Sequence, residues 1–400
     1  MHHILIVWEL GGNLGHLARL HLTAQALAEK NIKITFAVRN YADAAPWLAA
    51  RGWACVPAPR TASHGWDSAT PVGHADWFLC EGFEKAGQVQ ALVHAWAAVI
   101  DSLKPDAILL DFAPAATYAA HYLQVPYLIS SVGFCAPPYV DKAACFRPWE
   151  PLSVQQAQAA DERLKPVFGT LRTLLGPHAA ADLHALYPPP LVRLCTFAEM
   201  DHFADRTPGA VYSGVLWDDS ASLPCVEWSG GGRKKVFCYL NGPAHHVAPL
   251  LEILKKHHHD AVVVAPHLPP NIAADYAGAH LQVFAQPVSV KALLPWADLT
   301  VTHGGVGLVA QSLCAGVPLL LLSQHAEQAL LARRMVQQHF GLATFRAADQ
   351  DLLAQKLEDV LESGVIKSEV QKFAQRQQDF STQNAAKKSV APWMSPITRC

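Results

Sequence analysis

The sequence predicts an α/β protein built from two doubly wound, Rossmann-like domains. Three observations predict it. Short apolar, β-branched runs alternate with longer helical patterns, the alternation restarts past the middle of the chain, and a turn-rich stretch separates the two series. The 400 residues exceed one compact domain and suit two of roughly 200 each.

In the first series Ile4–Val7 reads as a strand, followed by the glycine-rich turn Gly11-Gly12-Asn13-Leu14-Gly15 and a helix from about His16 to Lys30. Ile32–Val38 is the next strand. Ala107–Leu110 and Tyr127–Ser130 read as further buried strands, separated by an Ala-rich helix near Pro114–Leu123. The stretch 205–235 holds Pro208-Gly209, Asp218-Asp219-Ser220 and Ser229-Gly230-Gly231-Gly232, all turn or linker chemistry. Strands then recur at Lys235–Leu240, Ala261–Val264, Leu281–Phe284, Leu299–Thr302 and Pro318–Leu322. The expected organisation is a domain over 1–212, a linker over 213–234, a second domain over 235–375 and a C-terminal helix or tail over 376–400. The two domains are expected to face each other across a cleft.

Composition narrows the function classes. A hydrophobic share of 51% supplies two cores, and a charged share of 16% argues against disorder. Lys and Arg number 31 against 33 Asp and Glu, so there is no basic excess of the kind a nucleic-acid binder shows. Arg233-Lys234-Lys235 reads as a solvated loop. The nine cysteines are scattered without a CxxC pair, which argues against a disulfide framework and favours a reducing compartment. No metal is expected. The triplet His257-His258-His259 follows two lysines at a helix end and reads as solvent-exposed, with no acidic or cysteine ligand beside it at metal spacing. The first apolar run is too short for a signal peptide, and no run of about 18 apolar residues suggests a membrane span. The cytoplasm is the expected location.

The residues that carry chemistry fall into two groups. The first runs Ala297-Asp298-Leu299-Thr300-Val301-Thr302-His303-Gly304-Gly305-Val306-Gly307, continues with Gly316-Val317-Pro318, and ends on Gln324-His325-Ala326-Glu327-Gln328. A strand ending at Thr302 delivers His303 and two glycines to a helix start. Glycines there let a ligand approach backbone N–H groups, and the helix N-terminus favours an anion such as a diphosphate. His303 is placed to donate to the same phosphates. Glu327 and Gln328 pair an anionic acceptor with an amide, suited to hexose hydroxyls. The bland alternative is a helix start packed tightly on its sheet. The second group is Gly11-Gly12-Asn13-Leu14-Gly15-His16-Leu17, directly after the first strand. A sugar hydroxyl is a poor nucleophile until its proton is taken, and neutral imidazole suits that task near pH 7. Asp111 ends the strand after Pro105-Asp106, where strand ends line one crevice, so it can meet His16. A packing histidine and a loop-capping aspartate are the alternatives.

The donor-side block resembles the signature of the UDP-glycosyltransferase family: a His-Gly-Gly turn, a later Gly-Val-Pro and an acid-Gln pair, in order and at the family's spacing. The resemblance covers nearly the whole chain and implies the GT-B fold. It further implies a metal-independent, inverting transfer of a sugar from a UDP- or TDP-sugar to a small-molecule acceptor. By this resemblance His16 is the catalytic base and Asp111 its partner. The donor-binding residues are Gly15, Asn241, Gly242, Phe284, Val288, His303, Gly304, Gly305, Val306, Gly307, Gln311, Glu327 and Gln328. Phe284 lies where the family stacks the nucleotide base, although a core phenylalanine ending a strand reads equally well. His245-His246 follows the phosphate-side loop. Two departures stand out: Leu308 is the nearest counterpart of a phosphate-holding Ser or Thr, and Gln311 replaces a ribose-binding Glu. They leave open a catalytically impaired GT-B accessory protein, and a sugar-nucleotide epimerase shares the architecture. The tryptophans at 47, 53, 66, 77 and 96 give the first domain an aromatic, weakly charged character, which favours an apolar or aromatic acceptor.

Overall fold

The computed structural model describes residues 2–10, 15–60, 71–140, 143–204, 206, 209–218, 223–344 and 349–394. Gly11–Leu14, Trp66, Pro208, Asp219-Ser220 and the last six residues of the expected tail lie outside them. The chain divides into two compact units, Met1–Trp217 with Ser381–Cys400, and Asp218–Phe380.

Unit 1 is a sheet of seven strands, β1 (His3–Trp8), β2 (Lys33–Val38), β3 (Ala54–Pro57), β4 (Ala107–Asp111), β5 (Tyr127–Ser131), β6 (Val192–Leu194) and β7 (Val211–Tyr212), in the order β3-β2-β1-β4-β5-β6-β7. Every pairing is parallel. Helices cover both faces, which is why the strands read as unbroken apolar runs. Successive side chains still alternate. Ile4, Ile6 and Trp8 pack with Leu17, Leu20 and Leu27 on one face, while Leu5 and Val7 pack with Phe83, Trp96, Tyr118 and Phe168 on the other.

Unit 2 repeats the plan with six parallel strands, β8 (Lys235–Tyr239), β9 (Asp260–Val264), β10 (Leu281–Phe284), β11 (Leu299–Thr302), β12 (Leu319–Leu321) and β13 (Gly341–Ala343), in the order β10-β9-β8-β11-β12-β13. In both sheets the winding reverses beside the first strand, between β1 and β4 and between β8 and β11. In such sheets, ligands bind outside the carboxyl ends of the strands at that reversal.

Four strands escape the sequence pattern: β3, β6, β7 and β13, two to four residues each. They are too short to show a period and, apart from β6, sit at sheet edges. The segment after Phe380 is also more than a tail. Helix Thr382–Ser389 packs on helix Gly15–Ala28 in unit 1. The Thr382 hydroxyl accepts from the Trp217 N–H and donates to the Trp217 carbonyl, both at 3.1 Å. Thr382→Val removes both bonds and is expected to destabilise unit 1 by about 1–3 kcal/mol, read as a lower urea midpoint. No helix among the described residues is long and apolar enough to cross a membrane.

Candidate functional site

At the reversal in unit 1, Trp8 pairs in register with Asp111. The chain leaving β1 enters helix Gly15–Ala28, whose second residue is His16, and β4 ends on Asp111. His16 Nδ1 lies 2.8 Å from Asp111 Oδ2. A carboxylate only accepts, so Nδ1 carries the proton and Nε2 is the ring's proton-accepting atom. The His16 ring stacks against Trp8 at 5.5 Å and Phe112 at 6.1 Å between centroids. Phe112 takes the left-handed conformation, φ 48, a strain of roughly 1–2 kcal/mol for an L-residue.

Asp111 is fully buried and receives three donors. Besides His16, Ser131 Oγ donates to Oδ1 at 2.6 Å and the Arg19 guanidinium donates to Oδ2. Arg19 also donates to the Ser130 carbonyl at 2.9 Å. Burial alone would raise the Asp111 carboxyl, but the Arg19 cation and then His16 hold it well below the usual carboxylate range. Asp111 is therefore a fixed anion. The sequence reading missed Arg19 and Ser131. A signal for Arg19 was present, because positions i and i+3 of one helix share a face and Arg19 follows His16 by three.

Glu9, next after β1, was also missed. Its carboxyl accepts from the amides of Ala115 and Ala116 at 2.9 and 3.0 Å and from Trp96 Nε1 at 3.2 Å. Burial pushes it up to about 8 against the pull of those amides. It ties the end of β1 to the start of helix Pro114–Tyr122.

At the reversal in unit 2, β8 leads to Asn241-Gly242 and β11 to His303-Gly304-Gly305. Gly304 has φ +102, a conformation that favours glycine. Gly305 precedes helix Val306–Cys314, whose first amides have no intrahelical partner. Val306 and Gly307 form its half-buried first turn. His303 Nδ1 is 2.7 Å from the Leu322 carbonyl, which only accepts, so the neutral ring holds its proton there. Its Nε2 is buried with no hydrogen-bond partner among the described residues. A Cβ built on Gly242 would lie 3.7 Å from that Nε2 and 2.7 Å from Gln324 Nε2, so the two loops converge. Gln328 Oε1 accepts from the Gln324 N–H at 2.9 Å. Glu327 stands half-buried in the first turn of helix Ala326–Gln337.

The geometry adds a condition to the expectation that His303 donates to phosphate. Its one proton is committed to Leu322, so donation from Nε2 requires a second. Burial first, then His246 and His325, hold the imidazole below its ordinary value, with the Leu322 bond opposing.

The remaining candidates divide. Phe284 ends β10 half-buried against the core cluster that contains Val288, and Val288 itself is buried. Gln311 Nε2 turns back to the Gly307 carbonyl at 3.3 Å, and Leu308 packs on the same core. Gly15 and Asn241 are exposed. Trp77 and Trp96 are core residues, while Trp47 and Trp53 pack half-buried at its margin. The reading of the histidine triplet as solvent-exposed is corrected. His258 is exposed, but His257 is half-buried, His259 is buried, and Glu358 from a distant helix meets both. Sequence spacing cannot show a ligand about one hundred residues away.

Two parallel sheets, each with a loop constellation at its reversal, make the GT-B architecture of glycosyltransferases. No family model matches the sequence, and no curated protein matches it. Among solved structures, the chain is similar to CalG4, the calicheamicin glycosyltransferase, at 17% identity and TM-score 0.73, over 100% of this chain and 99% of that one. It is similar to the kitacinnamycin glycotransferase at 18% identity and TM-score 0.71, over 98% and 99%. Glycosyltransferase VinC, solved in complex with DTDP, follows at 18% identity and TM-score 0.67, over 97% and 98%. At such identities the likeness establishes the fold.

Proposed function

We propose that the protein is a glycosyltransferase that moves a sugar from a nucleoside-diphosphate donor to a hydroxyl of a small-molecule acceptor. The observation that carries this reading is the His16–Asp111 pair at the reversal of a GT-B sheet, with Nδ1 bonded to a buried carboxylate. His16 Nε2 takes the acceptor's hydroxyl proton, and Asp111 stabilises the imidazolium that forms. The acceptor oxygen forms a bond to the anomeric carbon as the bond from that carbon to the diphosphate oxygen breaks. A single displacement inverts the configuration. The start of helix Val306–Cys314 and a protonated His303 offer a diphosphate neutralisation without a metal.

Thymidine or uridine diphosphate is the donor class, supported by VinC in complex with DTDP and by SpnG complexed with thymidine diphosphate. An apolar or aromatic acceptor is supported by the half-buried Phe112 ring that stacks beside His16, 6.1 Å between centroids.

A thermal-shift screen of nucleoside diphosphates tests the donor side, since a ligand that binds only the native state raises the melting temperature. A rise with thymidine or uridine diphosphate is expected. No rise with any of them sinks the transferase reading and favours a GT-B accessory protein, to which the core packing of Leu308 and the bond of Gln311 to its own helix would then belong. Conversion of a sugar nucleotide to its epimer without acceptor would point to an epimerase instead.

A further inference from the structure

We propose that His257, His259 and Glu358 form a site for a divalent transition-metal ion of the zinc class, at the end of the unit 2 sheet opposite the diphosphate loops. The inference does not rest on the transferase reading, and it departs from the sequence expectation that no metal is held.

The local chain builds the site. Helix Ala244–Lys256 ends at His257, and His258 takes a left-handed φ of 55. The His259 N–H returns to the Leu254 carbonyl at 3.1 Å. This tight turn places the two flanking rings nearly parallel, 6.0 Å apart at 16°. Helix Gln350–Glu362, packed on helix Ala244–Lys256, brings Glu358 to them. Glu358 Oε1 lies 2.9 Å from His257 Nδ1 and 3.3 Å from His259 Nε2. All three ligand atoms lie within 4.8 Å of one another. Neighbouring ligands of a tetrahedral zinc are roughly 3.3 Å apart, given metal–ligand bonds of about 2.0–2.2 Å. The two nitrogen–oxygen spacings, 2.9 and 3.3 Å, are close to that size, and the two nitrogens lie within 4.8 Å of each other.

Ligand chemistry selects the ion. Two imidazoles and a carboxylate suit zinc and its neighbours, whereas calcium and magnesium take oxygen ligands. Glu358 Oε1 is the oxygen turned to both imidazoles, while Oε2 faces the exposed Arg233 guanidinium at 3.5 Å. The Glu358 and His257 side chains are 23% and 26% exposed, which leaves the fourth position to water. The cluster adjoins the start of β9, while Gly242 and His303 lie at the carboxyl ends of the strands. The ion would therefore clamp helix Gln350–Glu362 to the turn before β9 and stay outside the transfer chemistry.

The test is calorimetric titration of the chelator-treated, full-length protein with zinc chloride, alongside His257→Ala and Glu358→Gln, whose side chains are partly exposed. One equivalent is expected to bind the unaltered protein. Each variant should weaken that binding by at least the roughly 10–100-fold that loss of an outer-shell partner costs. A matching rise in melting temperature should appear only in the unaltered protein. The proposal is overturned if no stoichiometric zinc binds, or if both variants bind it as tightly, because the ion would then sit elsewhere among the 21 histidines.

Discussion

His16→Ala is expected to lower turnover by roughly 10²–10⁴-fold, the usual worth of a positioned general base, while the affinity for the nucleoside diphosphate stays unchanged. The expectation follows from where each atom is held. Asp111 fixes Nδ1 as the protonated nitrogen, so Nε2 alone accepts a proton, and Trp8 and Phe112 hold the ring plane. Asp111 keeps its Arg19 and Ser131 donors when the imidazole is removed, so the variant should fold. Single-turnover rates with saturating donor separate the two parameters. Turnover within threefold of the unaltered protein (~0.6 kcal/mol) removes His16 from the proposed mechanism. Arg19 has a different signature, because it touches Asp111 rather than the acceptor. Arg19→Met leaves a buried carboxylate without its cation, which is expected to cost roughly 3–5 kcal/mol of stability. The Asp111 carboxyl sits below its usual range in the folded protein. The stability it contributes is therefore present above the ordinary carboxylate value and is lost as pH falls through the folded one.

The strands carried by continuous apolar runs between turn residues were legible in the sequence: β1, β2, β4, β5 and β8 to β12 agree with those runs to within one or two residues. The strands β3, β6, β7 and β13 were not, because pairing in a sheet is decided by neighbours rather than by the run alone. The pairing of His16 with Asp111 was legible because one opens the helix after the first strand and the other ends a buried strand, where doubly wound topology gathers side chains. The partners of Asp111 were harder. Ser131 lies at the end of the next strand over, and nothing in its own surroundings in the chain marks it as a donor to a carboxylate. The packing of helix Thr382–Ser389 into unit 1 joins residues far apart in the chain, such as the Thr382 hydroxyl and Trp217 across 165 positions, and such contacts have no local signature. Glu358 reaches the histidine turn by the same kind of long return, so the triplet looked unpartnered.

Binding of a nucleoside diphosphate is expected to take up a proton at His303. In the free protein the ring is held below its ordinary value and is neutral at pH 7. Its one proton faces the Leu322 carbonyl, and the Nε2 lone pair faces the Gly242 loop. A phosphate oxygen placed there would meet lone pair against lone pair. The diphosphate's negative charge favours the imidazolium, whose Nε2–H then makes a charge-assisted bond worth roughly 1.5–3 kcal/mol. The sign follows from the two states. The bound form has the higher pKa, so between the free and bound values the complex carries the extra proton, and affinity falls by up to about tenfold per pH unit as pH rises. Calorimetry at pH 8, in buffers of different ionisation enthalpy, measures the uptake directly where the diphosphate itself is fully ionised. His303→Gln keeps a neutral donor but has no titrating ring, so both the uptake and the pH slope should vanish. His303→Ala should weaken binding by roughly 10–150-fold, the same energy expressed as a ratio. Uptake that persists in the glutamine variant would assign the proton to His246 or His325. Absence of uptake in the unaltered protein would mean that the diphosphate is held by backbone amides alone.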